Sequence, residues 1–167
     1  MGECFTERQE RSSSGELISV TIKYGIMRAS DLGKIDNSSD DKSKYKKVEI
    51  GDIAYNSMRM WQGASGYSEY SGIVSPAYTV IIPRKNIDAL FFSFMFKKPG
   101  IIQIFQNRSQ GMTSDTWNLK FLAFSKIKIN IPEKQEQEKI GILFRKLDNL
   151  ITLHQRELFL LNQRRNL

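Results

Sequence analysis

The sequence predicts an α+β protein: a globular domain with a curved, mainly antiparallel sheet and short helices, followed by one long C-terminal helix that pairs in a coiled coil or bundle. Three observations lead there. Short runs with period-two alternation, such as Ile18, Val20, Ile22 and Tyr24 between polar residues, specify strands with one buried face. Helical spacing over Ile87, Leu90, Phe91, Phe94 and Met95 specifies a core helix in mid-chain. The stretch from Pro132 to Leu167 carries Ile140, Leu143, Phe144, Leu147, Leu150, Ile151, Leu158 and Leu161, a spacing that lays one apolar stripe along a single helix.

Residues 1–15 are polar and close on Ser12-Ser13-Ser14-Gly15, a lead-in segment after which order begins. A strand over 17–24 opens the domain. Residues 27–47 then form a long polar connection holding Asp31, Asp36, Asp40 and Asp41 and a lysine cluster, Lys42, Lys44, Lys46 and Lys47, around Tyr45. A loop of that length inside a compact domain is usually functional or mobile. Val48-Glu49-Ile50, Gly51-Asp52 and Ile53-Ala54-Tyr55 read as strand, turn, strand. Met58 to Tyr67 mixes long side chains, aromatics and glycines without a clean period, and Ser71-Gly72 turns the chain into a strand over 73–82, with Pro76 at an edge or a bulge. Asn86 caps the core helix, which stops at Lys97 and Lys98 before Pro99-Gly100. Ile101 to Phe105 extends it by a further turn or helix. Asn107 to Thr116 is a polar loop, Asp115 caps a short helix through Trp117, Leu119 and Leu122, and Lys126 to Ile131 alternates as a last strand.

The globular domain thus occupies 16–131 and the long helix 132–167. Pro132 suits a first helical position, where its missing amide donor would be unpaired anyway; Glu133, Glu136 and Glu138 sit near the positive end of the dipole, and Arg164 and Arg165 at the other end. Such a helix runs on the order of 50 Å, longer than a domain of this size covers, so it projects and meets a second helix. The stripe is wider than a strict two-stranded seam, and His154 occupies a heptad core position on it, so a bundle or an antiparallel pair fits as well as a parallel dimer.

With 167 residues, 40% of them hydrophobic, the chain holds one globular domain with a real core and hardly two. Its net charge of +7 is uneven: residues 16–132 carry 16 basic and 10 acidic side chains, against 7 and 5 in 133–167. A basic domain points to a polyanion, nucleic acid first. Cys4 is alone, which excludes a disulfide framework and a cysteine zinc site and fits a reducing cytoplasm. The longest apolar run, Ala89 to Phe96, is too short to cross a bilayer, and no signal sequence opens the chain. One histidine and one cysteine make neither a histidine-containing triad nor a histidine-rich metal site. No glutamate has a lysine two residues on, so the acidic pair and lysine of many nucleases is missing, and no glycine-rich loop follows a strand in the dinucleotide-binding manner. The chain is therefore expected to be non-catalytic and to carry no cofactor or metal, with His154 a helix-interface residue.

Several blocks carry a resemblance: Leu17-Ile18-Ser19-Val20-Thr21 with Tyr24-Gly25, the run from Gly51-Asp52-Ile53-Ala54-Tyr55 to Gln62-Gly63-Ala64, Gly72-Ile73-Val74-Ser75-Pro76-Ala77-Tyr78, and Ile131-Pro132 with Glu136-Gln137-Glu138-Lys139-Ile140 and Leu147-Asp148. Over nearly its whole length the chain resembles the specificity subunit of type I restriction-modification systems. The resemblance implies a target recognition domain that reads one half of an interrupted double-stranded DNA sequence, followed by a spacer helix. Such subunits usually carry two recognition domains and two antiparallel spacer helices. One of each here means half of a longer polypeptide or a half-subunit that pairs with itself, whose target is then an interrupted palindrome. Catalysis in that family belongs to partners: modification subunits that transfer methyl groups from S-adenosylmethionine to adenine, and a translocating nuclease subunit.

Reading DNA requires groups that reach base edges, chiefly arginine or lysine to guanine and asparagine or glutamine to adenine, with phosphate contacts fixing register. Arg59, Gln62 and Tyr67, beside Trp61, offer a forked donor, an amide and aromatic faces between glycines, against the plainer reading of Met58, Met60 and Trp61 as core and Arg59 as an ion-pair partner. The loop with Asn107, Arg108, Ser109, Gln110, Gly111, Met112, Thr113 and Ser114 is the stronger candidate, and Lys44 and Lys46 of the lysine cluster are candidates for phosphate. Helix pairing falls to Ile140, Phe144, Leu147, Leu150, Ile151, His154, Leu158 and Leu161. The competing reading is a coiled-coil interaction module or adaptor with incidental charge and no sequence-specific DNA binding.

Overall fold

The computed structural model describes residues 1–33 and 40–165; Asp36 of the expected connection lies outside them. Eight short strands and four helices form the α+β fold that the sequence predicts. At its centre is a four-stranded antiparallel sheet of β1 (Phe5–Glu7), β8 (Tyr78–Pro83), β5 (Ile53–Asn56) and β6 (Ser65–Tyr67), in that spatial order. Period-two alternation along β5 decides what each face buries. Ile53 and Tyr55 join Phe5 and Ile81 in a large aromatic core with Phe92, Phe96, Phe105 and Phe124, whereas Ala54 and Val80 face a smaller aliphatic core with Ile18, Val20, Ile26, Val48 and Val74. The smaller core lies under two two-stranded ribbons, β2 (Ile18–Thr21) with β3 (Gly25–Arg28), and β4 (Lys46–Val48) with β7 (Gly72–Val74).

The structure corrects several expectations. The first fifteen residues are not a detached lead-in: β1 pairs with β8, Met1, Cys4 and Phe5 are buried, and Arg8 forms a two-pronged bridge to buried Asp52, at 2.7 and 3.0 Å. A segment with few apolar residues still enters a core when those few are well placed. The strands on either side of Gly51-Asp52 do not pair with each other; β4 joins β7 while β5 joins β6 and β8, and the turn carries the chain from one sheet to the other. Likewise the expected strand over 17–24 is a hairpin, folding back at Tyr24 into β3. Pro76 lies in the turn between β7 and β8.

Helix α1 (Ala89–Met95) is capped by Asp88, whose carboxylate accepts from the Phe91 amide at 2.6 Å, rather than by Asn86. Pro99 then opens a separate helix, α2 (Pro99–Arg108), at the position where proline costs no hydrogen bond. Asn107 and Arg108 belong to its last turn, not to the following loop. The short helix α3 is Phe121–Ser125, entered from Lys120 without a side-chain cap, so Asp115 plays no part in it. Residues 126–131 form no strand; Ile127 is buried and Ile129 and Ile131 pack against the aromatic core from an irregular segment. The long helix α4 runs Lys134–Arg165, about 48 Å at 1.5 Å per residue, and residues 166 and 167 lie outside the described part.

Candidate nucleic-acid interface

The segment after β5 is held as a tight 3-10 turn over Met60–Gln62. Met60 is fully buried and pins it, and Gly63 closes it at φ +81°, a conformation that L side chains rarely adopt. Its polar groups look outward. Arg59 is exposed and donates to the Gln62 side-chain oxygen at 3.2 Å. No acidic partner holds Arg59 among the described residues. Trp61 is half-buried rather than core: its indole N–H donates to the Met58 carbonyl at 3.0 Å and its ring meets Trp117 edge-on, centroids 5.2 Å apart. Beneath the turn Lys97, from the end of α1, donates to the carbonyls of Gly63 and Ile22; lacking a carboxylate to offset its burial, the amine falls to a pKa of about 8.

The loop that follows α2 is fastened at its mouth, where Gln110 and Asn118 exchange backbone hydrogen bonds at 3.0 and 2.8 Å, and Leu119, fully buried, donates to the Ser57 carbonyl. Inside it, the Thr116 amide and hydroxyl both bond the Thr113 carbonyl, and a Cβ on Gly111 would meet the Thr116 carbonyl oxygen at 2.6 Å, so glycine is required there. Asn107, Arg108, Gln110, Thr113 and Ser114 are exposed along it, and Met112 at its tip is fully so. Through the Trp61–Trp117 contact this loop and the Arg59–Gln62 turn make one continuous surface.

Two candidates lie elsewhere. Tyr67 is covered by α4: the Arg145 guanidinium stands 5.2 Å over its ring while pairing with Glu69 at 3.0 Å, so Tyr67 serves the junction of domain and helix. Two of the four lysines of the cluster are held in ion pairs. Lys46 lies in β4 and pairs with Glu7 at 3.4 Å; Lys47 pairs with Glu49 at 2.6 Å, which raises the lysine's pKa and lowers the glutamate's. Of the two candidates, Lys44 is exposed and has no ion pair among the described residues. Sequence reasoning did not single out Lys97, Trp117 as the ring partner of Trp61, or Lys120 and Lys126, which face Arg108 and Gln110 across a cleft. Their signal was positive charge scattered over three segments, invisible until the fold joined them.

The long helix is anchored only at its start. Gln137, almost wholly buried, accepts from the Asp88 amide and donates to the Pro132 carbonyl, both at 2.9 Å; Phe144 stacks near Phe94 at 5.4 Å; and Ile140 is half-buried on the aromatic core. Leu147, Leu150, Ile151, His154, Leu158 and Leu161 are exposed. Among the described residues no cluster of histidine, cysteine, aspartate and glutamate is arranged to hold a metal ion, and no helix is long and apolar enough to cross a membrane.

Arg59 with Gln62 on the turn, and Arg108 with Gln110 at the end of α2 and the loop mouth, thus present a guanidinium and an amide each toward solvent. The family model of the type I restriction modification DNA specificity domain matches residues 2–163, and the chain belongs to that family. It is a DNA sequence-specificity domain of the type I restriction-modification kind, in a family that is in general non-catalytic and assembles with the other subunits of such systems. A search of curated proteins finds no match.

Proposed function

We propose that this chain reads one half of an interrupted double-stranded DNA target through the surface formed by Arg59, Gln62, Arg108, Gln110 and the loop to Ser114, and that α4 joins it to a second recognition domain, that of another copy or of a different chain. The observation that carries the reading is the free stretch of α4: five large aliphatic side chains from Leu147 to Leu161 stand exposed at heptad spacing on a helix that the domain does not cover. Burying each is worth about 1.5–3 kcal/mol.

A second stripe of Ile142, Leu153 and Leu160 is exposed roughly a third of a turn away. One helix partner satisfies one stripe, so the second falls to modification subunits, which on this reading bring S-adenosylmethionine and the methyl transfer to adenine. The restriction and translocase subunit joins indirectly, and the whole assembly works in the cytoplasm. This chain itself contributes recognition and no chemistry.

The test is the methylation map of DNA from cells carrying this chain with its modification subunit and no other specificity subunit. An interrupted palindrome with methylated adenine is expected from a self-paired chain, and an asymmetric motif from pairing with a different domain. Absence of any motif, with the complex assembled, would favour the adaptor reading.

A further inference from the structure

The two basic regions of the domain differ in how their charge is used. Around β4, Lys46 and Lys47 are matched by Glu7, Glu10 and Glu49, and Arg8 by Asp52 and Glu10. At the end of α2 the situation is reversed. A cleft of about 420 Å³ is walled by Arg108 from α2, Gln110 from the loop mouth, Lys120 ahead of α3 and Lys126 behind it, with Asn107 beside them and exposed Leu122 at one side. No acidic residue lines it, and none of the three cations has an ion pair among the described residues. Three elements brought together to put three like charges around one hollow would repel one another unless an anion shared them.

We infer that this cleft holds a phosphate of the DNA backbone and so fixes the register in which the adjoining turn and loop meet the bases. The inference rests on the DNA-reading function proposed above and divides its surface: Arg108 and Gln110 go to the backbone, and base edges fall to Arg59, Gln62 and the loop to Ser114. A phosphate oxygen accepts from the fork of Arg108 and from the two ammonium groups, while the Asn107 and Gln110 amides complete its hydrogen bonds; these contacts orient the protein without reading sequence. The loop leaving Gln110 returns at Trp117 to touch Trp61, so the cleft is joined to the Arg59–Gln62 turn through this loop.

The experiment uses the assembled complex of this chain with its modification subunits, comparing the parent with the Lys120→Ala/Lys126→Ala double variant, both exposed positions outside the core. Affinity is measured for a duplex containing the methylated motif and for one lacking it, over about 50 to 200 mM salt. The double variant is expected to lose affinity by the same factor on both duplexes, to keep its methylation motif, and to show a logarithmic salt slope shallower by about 0.9 for each lost contact. An unchanged slope would overturn the assignment, and so would a loss confined to one sequence, which would make these lysines base readers. An unchanged slope in which inorganic phosphate protects Lys120 and Lys126 from acylation would make the cleft a free-anion site and equally overturn it. Failure of the parent complex to prefer any sequence would instead overturn the reading function, and an equal loss on every duplex would still support the phosphate contact.

Discussion

The two halves of α4 have similar composition and opposite surroundings. From Lys134 to Arg145 the helix is locked to the domain by specific devices: the buried Gln137 amide on the α1 cap, Gly141 where a side chain would strike Asp88 and the Phe91 amide at 3.0 and 3.1 Å, the Phe94–Phe144 contact and the Arg145–Glu69 pair. From Leu147 onward its large apolar residues are exposed among the described residues, and Leu150 stands 62% exposed. The first half uses Ile140 and Phe144 to pack on the domain, with Ile142 and Leu143 left exposed, whereas the large apolar residues from Leu147 to Leu161 are all exposed. On the reading proposed above both halves are needed, because the angle between helix and domain would set where the reading surface points and the free seam how far away the second surface lies.

Substitutions separate the halves. The largest effect is expected from Leu147→Asp with Leu150→Asp, which puts charges into the seam and abolishes helix pairing and with it assembly, while the domain's own melting is unchanged because neither residue touches it. Light scattering of the purified chain checks this: a solution mass equal to the parent's would show that the seam is not used. Gly141→Leu should do the reverse. Overpacking against α1 costs about 1–3 kcal/mol of stability, read by denaturant melting, and a variant as stable as the parent would mean that the crossing is looser than its 3.0 Å approach indicates.

Lys97 probes the ground beneath the same junction. Burial lowers its amine from the ordinary 10.5 to about 8 in the fold, so between those pH values the unfolded chain holds a proton that the folded chain lacks, and unfolding takes one up. Stability should therefore gain a rising contribution from pH 8 to 10.5, which is absent in Lys97→Met. Parallel melting curves across that range would show the amine to be solvated.

How much of this was legible in the chain follows the same division. The free half of α4 was readable residue by residue, because heptad spacing is a local pattern and nothing in the domain interferes with it. The anchored half was not. Gln137 and Gly141 look like ordinary helix-surface residues until α1 is laid across them, and Ile140 and Phe144, assigned to the seam by spacing, are partly taken up by the domain. The strands of the central sheet showed in alternation, yet β1 hid in a polar stretch because only Phe5 and its neighbours carry the burial. In the candidate interface, Arg59, Gln62, Arg108 and Gln110 were visible by type, and the turn and the end of α2 with its loop meet only through two tryptophans 56 residues apart in sequence. The surroundings of Tyr67 were hidden for the same reason that Gln137 was missed: its neighbour Arg145 comes from a helix far along the chain.

The smallest effect sharpens the division furthest. Arg145 ties α4 to the domain through one exposed ion pair and one ring contact. Exposed pairs and surface cation–π contacts each contribute up to about 1 kcal/mol, and screening by salt reduces the first. Arg145→Ala should therefore lower the melting temperature only slightly, by an amount that shrinks as salt is raised, and leave the solution mass of the assembly unchanged. If it instead disrupted assembly as Leu147→Asp with Leu150→Asp is expected to, the boundary between the anchored and the free helix would lie before residue 145, and the angle of the reading surface would be set by the partner chain and not by the domain.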